Sequence, residues 1–219
     1  HCHTRRQRQM CIRDSLRARR WLNELPWELS SRISATIVDL EKESLDWARS
    51  SHKEFPPSDG VGDLQTLQGD LRAAVLSSGR HWIDIDPYGS PAPFIDSAMQ
   101  SMARSGVMEV SATDTAALTG SSKTALMRRY GARVRTDCLA HDSGMRVMLA
   151  NISRIAARHD RAIEPLLSVW DSHHLRVSFR VMKSVSSANV LEERIGWRVF
   201  APCKEEVAAS IDSGLQVES

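Results

Sequence analysis

Apolar residues recur every three to four positions in residues 16–25 (LRARRWLNEL) and 41–55 (EKESLDWARSSHKEF), but crowd together at 33–40 (ISATIVDL) and 81–87 (HWIDIDP). The first spacing lays one apolar stripe along a helix, and the second suits buried strands. By the same criterion helices are predicted over 71–79, 94–106, 122–131 and 143–160, and strands over 64–70, 107–114, 164–170 and 173–183. Breakers fall between these runs: Pro56-Pro57 stop the second helix, Gly60 and Gly62 loosen the loop after it, and PYGSPAP (87–93) follows a strand directly. Gly106 is expected to close the helix that starts at Phe94.

Strands that alternate with helices predict an α/β fold with a doubly wound sheet, whose ligands sit at the carboxyl ends of the strands. Three predicted strand ends carry acids, at Asp39, Asp70 and Asp86. The last two strands, separated only by Asp171-Ser172, are expected to pair as an antiparallel hairpin. Residues from about Ser184 onward read as the opening of another unit, and the chain carries no internal repeat.

At 219 residues, 42% hydrophobic and 26% charged, the chain has the composition of a soluble globular protein, with room for one large domain and part of a second. No stretch approaches the ~20 apolar residues of a membrane span. Cys2, Cys11, Cys138 and Cys203 form no C-x-x-C pair, which argues against a zinc site or disulfide framework and for a reducing compartment; with no signal pattern at the start, the cytoplasm is the expected location. The net charge of +2 is concentrated in residues 1–15, where Arg5, Arg6, Arg8 and Arg13 face only Asp14. That segment lacks periodicity, and RQRQMCIRDS resembles a translated sequencing adapter, so it is treated as a non-native tail; a native basic arm is the alternative. Without it the chain is close to neutral, so any nucleic-acid contact has to come from local patches.

The strongest chemical feature is IDIDPYGSPAPF (83–94), in which an acid, a proline and an aromatic close a buried strand. Methylation of an exocyclic amine needs such a set. The lone pair of that nitrogen is delocalised into the base, and a carboxylate (Asp86) plus a backbone carbonyl (Pro87) accepting both N–H protons favour its reactive form. Tyr88 would stack on the flipped-out base, and Asp86 could take the proton released after transfer. Asp39 suits the ribose hydroxyls of a nucleoside cofactor or, equally, a cap for the helix that follows; Asp70 suits an adenine amino group or, again, a cap.

LRARRWLNE, TIVDLEKESLDWA, DIDPYGSPAPFIDSAM, VSATDTAALTG, ALMRRYGARVRTD, ISRIAAR and EPLLSVWDSHHLRVSFRV, in that order between Leu16 and about Lys183, resemble the tRNA guanine-26 dimethyltransferases of archaea and eukaryotes. The resemblance implies a Rossmann-like fold using S-adenosylmethionine, and tRNA as partner. It puts Arg17, Asp39, Leu40, Asp70 and Leu71 on cofactor-binding positions and Asp86, Pro87, Tyr88 and Gly89 on the D-P-F-G catalytic motif, with tyrosine for the commoner phenylalanine. Thr113-Asp114 fall where the family keeps a T-D pair near the base; a helix cap is the equal alternative. The family has a further strand and a glycine-containing turn just before the segment matching LRARRW, so the first strand is expected to be missing here. The domains expected are then 1–15 (tail), 16–183 (catalytic, incomplete at its start) and 184–219 (the beginning of an RNA-binding domain).

Lys123, Arg128, Arg129, Arg133 and Arg135 could meet tRNA phosphates or simply be a solvated face. His173-His174 are not expected to bind metal, because neighbours on a strand point to opposite faces and no further ligands cluster. Trp21, Trp27, Trp47 and Trp82 are expected in the core. The competing functions are amino-methylation of a different nucleic-acid base and an inactive RNA-binding fragment.

Overall fold

The computed structural model describes residues 16–56, 62–76, 79–196 and 198. The expected tail (1–15) and most of the expected C-terminal domain beyond 198 lie outside the described residues. The chain divides into two compact units, 1–77 and 78–219.

The first unit opens with α1 (Leu16–Glu24), which buries Leu22 and Arg19, and a single turn α2 (Trp27–Ser30). A parallel pair follows, β1 (Ser34–Asp39) and β2 (Asp63–Gln68), joined by the crossover helix α3 (Lys42–Glu54) and followed by the short helix α4 (Leu71–Val75). Leu45 and Ala48 are the buried face of α3. Trp47, offset from both around the helix, is 49% exposed, and Trp27 on its isolated turn is 62% exposed. Trp82 is also exposed, so these three are not core residues; Trp82 alternates with buried Ile83 on the edge strand β3 described next.

The second unit is built on a four-stranded sheet of order β3-β4-β6-β5: β3 (Arg80–Ile85), β4 (Met102–Ala112), β5 (Arg161–Asp171) and β6 (His174–Lys183). β3 and β4 are parallel, and β6 runs antiparallel to both β4 and β5. Its helices are α5 (Ala92–Ser101), α6 (Thr115–Leu118), α7 (Lys123–Tyr130), α8 (Ala140–Arg158) and α9 (Val185–Asn189), then a 3-10 turn at Leu191–Glu193. This is the α/β fold with a terminal hairpin that the periodicity predicts.

Several boundaries differ from the expectation: β2 stops at Gln68, which leaves Asp70 as the cap of α4, α4 ends at Val75, β5 already starts at Arg161, and two further differences shape the sheet. Residues 102–106 are strand, not helix, because Met102 pairs with Arg80, and Ser105 and Gly106 pair with Met182 and Val181. The sheet partners outweigh a helical pattern that would have run on to the glycine. The hairpin turn is Ser172-His173, not Asp171-Ser172: Asp171 pairs with His174, and Ser172 takes φ +53°.

The strand period of two divides the sheet into unlike faces. Ile83, Ile85, Met108, Val110, Ala112, Leu175, Val177, Phe179 and Val181 are buried on one face. Helices α5 and α8 supply Ile95, Ala98, Met99, Met148 and Ile152 to this core. Each fully buried large side chain contributes roughly 1.5–3 kcal/mol relative to exposure. The opposite face carries Asp84, Asp86, Glu109, Ser111, His174 and Arg176.

Candidate functional site

The D-P-Y-G segment leaves the end of β3, where Ile85 is fully buried and anchors the strand. Asp86 follows one residue later with its side chain 14% exposed, on the polar face. Tyr88, two residues on, is 90% exposed, a large apolar ring held in solvent. Between them and the next helix the chain needs a turn that only glycine adopts without strain, and Gly89 has φ +88°.

This loop is tied to the end of β4. Gly89 N–H donates to Thr113 Oγ1 at 2.7 Å, and Thr113 N–H donates to the Gly89 carbonyl at 3.0 Å. Asp114, next in sequence, does not use its side chain as a helix cap. Its carboxylate, 8% exposed, accepts from the Tyr130 hydroxyl at 2.9 and 3.0 Å and from Arg129 at 3.0 Å. With its proton directed at Asp114, Tyr130 accepts from Ser90 Oγ at 2.9 Å. Burial above all, with the Asp114 charge adding to it, pushes the Tyr130 phenol above its ordinary value. A continuous chain of hydrogen bonds thus runs from the D-P-Y-G loop through the T-D pair to α7. Arg128, beside Arg129, is exposed.

Arg176 organises the polar face between β3, β4 and β6. Its guanidinium bridges Asp84 (3.0 Å) and Glu109, and donates to Ser111 Oγ at 2.8 Å. These carboxylates and Arg176 are each only 15–18% exposed, so a single guanidinium is shared between two carboxylates with little water around them. His174, two residues before Arg176, has Nε2 3.7 Å from Asp86 Oδ1. Neither Arg176 nor His174 nor Tyr130 stood out in the sequence as a site residue. The usable signal was the strict alternation of HHLRVSFR, which puts His174 and Arg176 on one face of β6.

The expected cofactor residues lie in the first unit. Asp39 ends β1, and its Oδ1 accepts the Glu41 N–H at 2.8 Å; Gly69 N–H binds the Asp39 carbonyl at 3.0 Å and Gln68 Nε2 the Leu40 carbonyl at 3.2 Å, joining the two strand ends. The carboxylate has a second oxygen to offer a ribose hydroxyl, and Leu40 beside it is 69% exposed, so this strand end fits a nucleoside. Asp70 caps α4 by accepting the Arg72 N–H at 2.8 Å, and both its oxygens also bind the Arg72 guanidinium. That guanidinium foremost holds the Asp70 carboxyl down at about 2. An adenine amino group would have to share Asp70 with Arg72. Leu71 is partly exposed on the first turn of α4, and Arg17 lies on α1 beside Arg20, Trp21, Glu24 and Leu25 around an open cleft.

Among the described residues no group of three or more His, Cys, Asp and Glu side chains could hold a metal ion, and no helix is long and apolar enough to cross a membrane.

The chain is similar to tRNA (guanine(26)-N(2))-dimethyltransferases: 43% identical over 116 residues to that of Thermoplasma volcanium (53% of this chain, 34% of the relative), and 42% over 122 residues to that of Aeropyrum pernix (55% and 30%). The guanine(26)/guanine(27) dimethyltransferase of Aquifex aeolicus is 34% identical over 119 residues (54% and 30%). The matched stretches thus span about a third of the length of these relatives. The fold matches Trm1 from Pyrococcus horikoshii, solved with S-adenosyl-L-methionine, with a TM-score of 0.73 at 23% identity over 89% of this chain and 60% of that one. The model of the N2,N2-dimethylguanosine tRNA methyltransferases matches residues 16–215, and the chain belongs to that family.

Proposed function

We propose that this chain carries the base-binding and amine-activating residues of a tRNA methyltransferase that acts on the exocyclic 2-amino group of guanine 26, once and then again, in the cytoplasm. The observation that carries this reading is the pairing of Asp86, nearly buried at the mouth of β3, with Tyr88, held almost wholly in solvent, on a loop fixed by Thr113. A carboxylate with little water around it is a strong acceptor for amine N–H groups. An exposed ring is ready to stack on a base, an interaction worth roughly 1–3 kcal/mol.

In this reading Asp86 and the Pro87 carbonyl accept the two amine protons and localise the nitrogen lone pair. Tyr88 and Gly89 hold the base plane, Gly89 by allowing the loop to turn without a side chain. S-Adenosylmethionine, when bound, supplies an electrophilic methyl group. Asp39 would hold its ribose, with Leu40, Asp70, Leu71 and Arg17 around the nucleoside. Arg128 and the neighbouring basic residues of α7 would meet tRNA phosphates, and residues from 184 onward would open an RNA-binding domain.

The test is Asp86→Asn in the full-length protein that carries this sequence. Turnover on a tRNA with guanine 26 should fall at least a hundredfold while cofactor affinity stays within twofold. Wild-type turnover would overturn the reading.

A further inference from the structure

His174 begins β6 directly after the Ser172-His173 turn. Because Ala112 pairs with Leu175, His174 lies level with the end of β4, where its imidazole reaches across to Asp86 Oδ1 at 3.7 Å. The two groups differ in their access to water: the imidazole is 40% exposed and the carboxylate 14%. Arg176 is held by Asp84 and Glu109, and Asp171 is the cross-strand neighbour of His174 at the exposed end of the hairpin.

We propose that His174 is a positioning residue for Asp86 and the exit route for the proton that each methylation releases; this rests on Asp86 being the amine acceptor. The methylated amine is cationic. Its N–H bond breaks, the electron pair returns to nitrogen, and the proton forms an O–H bond with Asp86. That bond breaks in turn as the proton passes to His174 Nε2, and the imidazolium gives it up to bulk water. Asp86 is thereby an anion again before a second methyl is added, and the same release follows each of the two methylations of one guanine. A carboxylic acid left protonated at the end of β3 would still accept from the amine through its carbonyl oxygen, but as a weaker, uncharged acceptor that could take up no further proton. Histidine is the side chain suited to this passage, since one ring nitrogen can face the acid while the other faces solvent.

The experiment compares His174→Ala, His174→Gln and Asp86→Asn in the full-length protein that carries this sequence. Folding of each is checked by thermal melting, and activity is measured on a tRNA transcript with guanine 26. His174→Ala should lower kcat roughly tenfold with KM for tRNA unchanged, and imidazole added to the buffer should restore part of the loss. His174→Gln, which keeps roughly the size and the hydrogen bonding but cannot take up and release a proton, should be as slow as His174→Ala and should not respond to imidazole. Independently of turnover, the ring nitrogen resonances of His174 should shift in Asp86→Asn. Wild-type kcat in His174→Ala, recovery of the rate in His174→Gln, failure of imidazole to rescue, or an unmoved His174 ring spectrum would each overturn the proposal. Inactivity of Asp86→Asn beside a fully active His174→Ala would defeat the proton route alone, whereas full activity of Asp86→Asn would defeat the reading beneath it.

Discussion

Thr113 and Gly89 exchange two hydrogen bonds, one through the threonine side chain at 2.7 Å and one through its backbone N–H at 3.0 Å. The end of β4 therefore sets where the loop after Asp86 lies. Thr113→Val keeps the shape and removes the acceptor, leaving the Gly89 N–H without it. Stability should fall by about 1 kcal/mol and, on the function proposed above, turnover by about tenfold, because a loop displaced by even a fraction of an ångström would misplace the base. Thr113→Ser should retain most of both. Equal activity of the valine and serine variants would show that the loop is held by other means.

Removing the hydroxyl in Tyr130→Phe takes one donor from Asp114 and the acceptor from Ser90. A loss of about 1–2 kcal/mol in chemical denaturation is expected. The sign of the pH effect follows from burial, which raises the folded pKa of Tyr130. Its contribution is fully present below the unfolded tyrosine value of about 10 and is lost as pH rises through the higher folded value. Alkaline difference spectra of the parent against Tyr130→Phe should place this phenolate above the ordinary tyrosine range; formation at the ordinary value would contradict the buried network.

Arg176→Met should cost about 2–3 kcal/mol, since it leaves Asp84 and Glu109 facing each other with little water to screen them. Neutralising both in the Asp84→Asn, Glu109→Gln, Arg176→Met triple variant should recover most of that loss. A triple variant no more stable than the single one would mean that the cluster is held by more than charge.

Asp70 titrates at about 2, chiefly through the Arg72 guanidinium and then its backbone N–H. A depressed carboxyl contributes stability above the unfolded aspartate value of about 3.9, and that contribution is lost as pH falls through about 2. Carboxyl-carbon NMR should show this midpoint, and Arg72→Met should raise it toward the ordinary range. No change in the midpoint would exclude the guanidinium as the cause.

The alternation of apolar residues made β3, β4 and β6 legible, and the acid-Pro-aromatic group at the end of β3 marked a candidate site in the sequence itself. What the sequence concealed depends on pairing across strands. His174 and Arg176 acquire meaning only once Ser111 lies opposite Arg176 and Asp84 opposite Glu109. Residues 102–106 carried a helical pattern that sheet partners overrode, and Trp47 and Trp82 showed hydrophobicity without the phase that buries it. Asp39 and Asp70 each had two readings; both make the local turn or cap bond, Asp39 at the end of β1 and Asp70 two residues beyond the end of β2.

The two-residue turn at Ser172-His173 has a consequence for how this protein can diverge. Side chains on β6 alternate between an apolar set (Leu175, Val177, Phe179, Val181) in the core and a face carrying Arg176, so sliding the strand by one residue would drive Arg176 into the core and carry His174 away from Asp86. A single inserted or deleted residue in this surface loop would then be as damaging as replacing the acid itself, and the length of the turn, more than its composition, is what variation there has to respect.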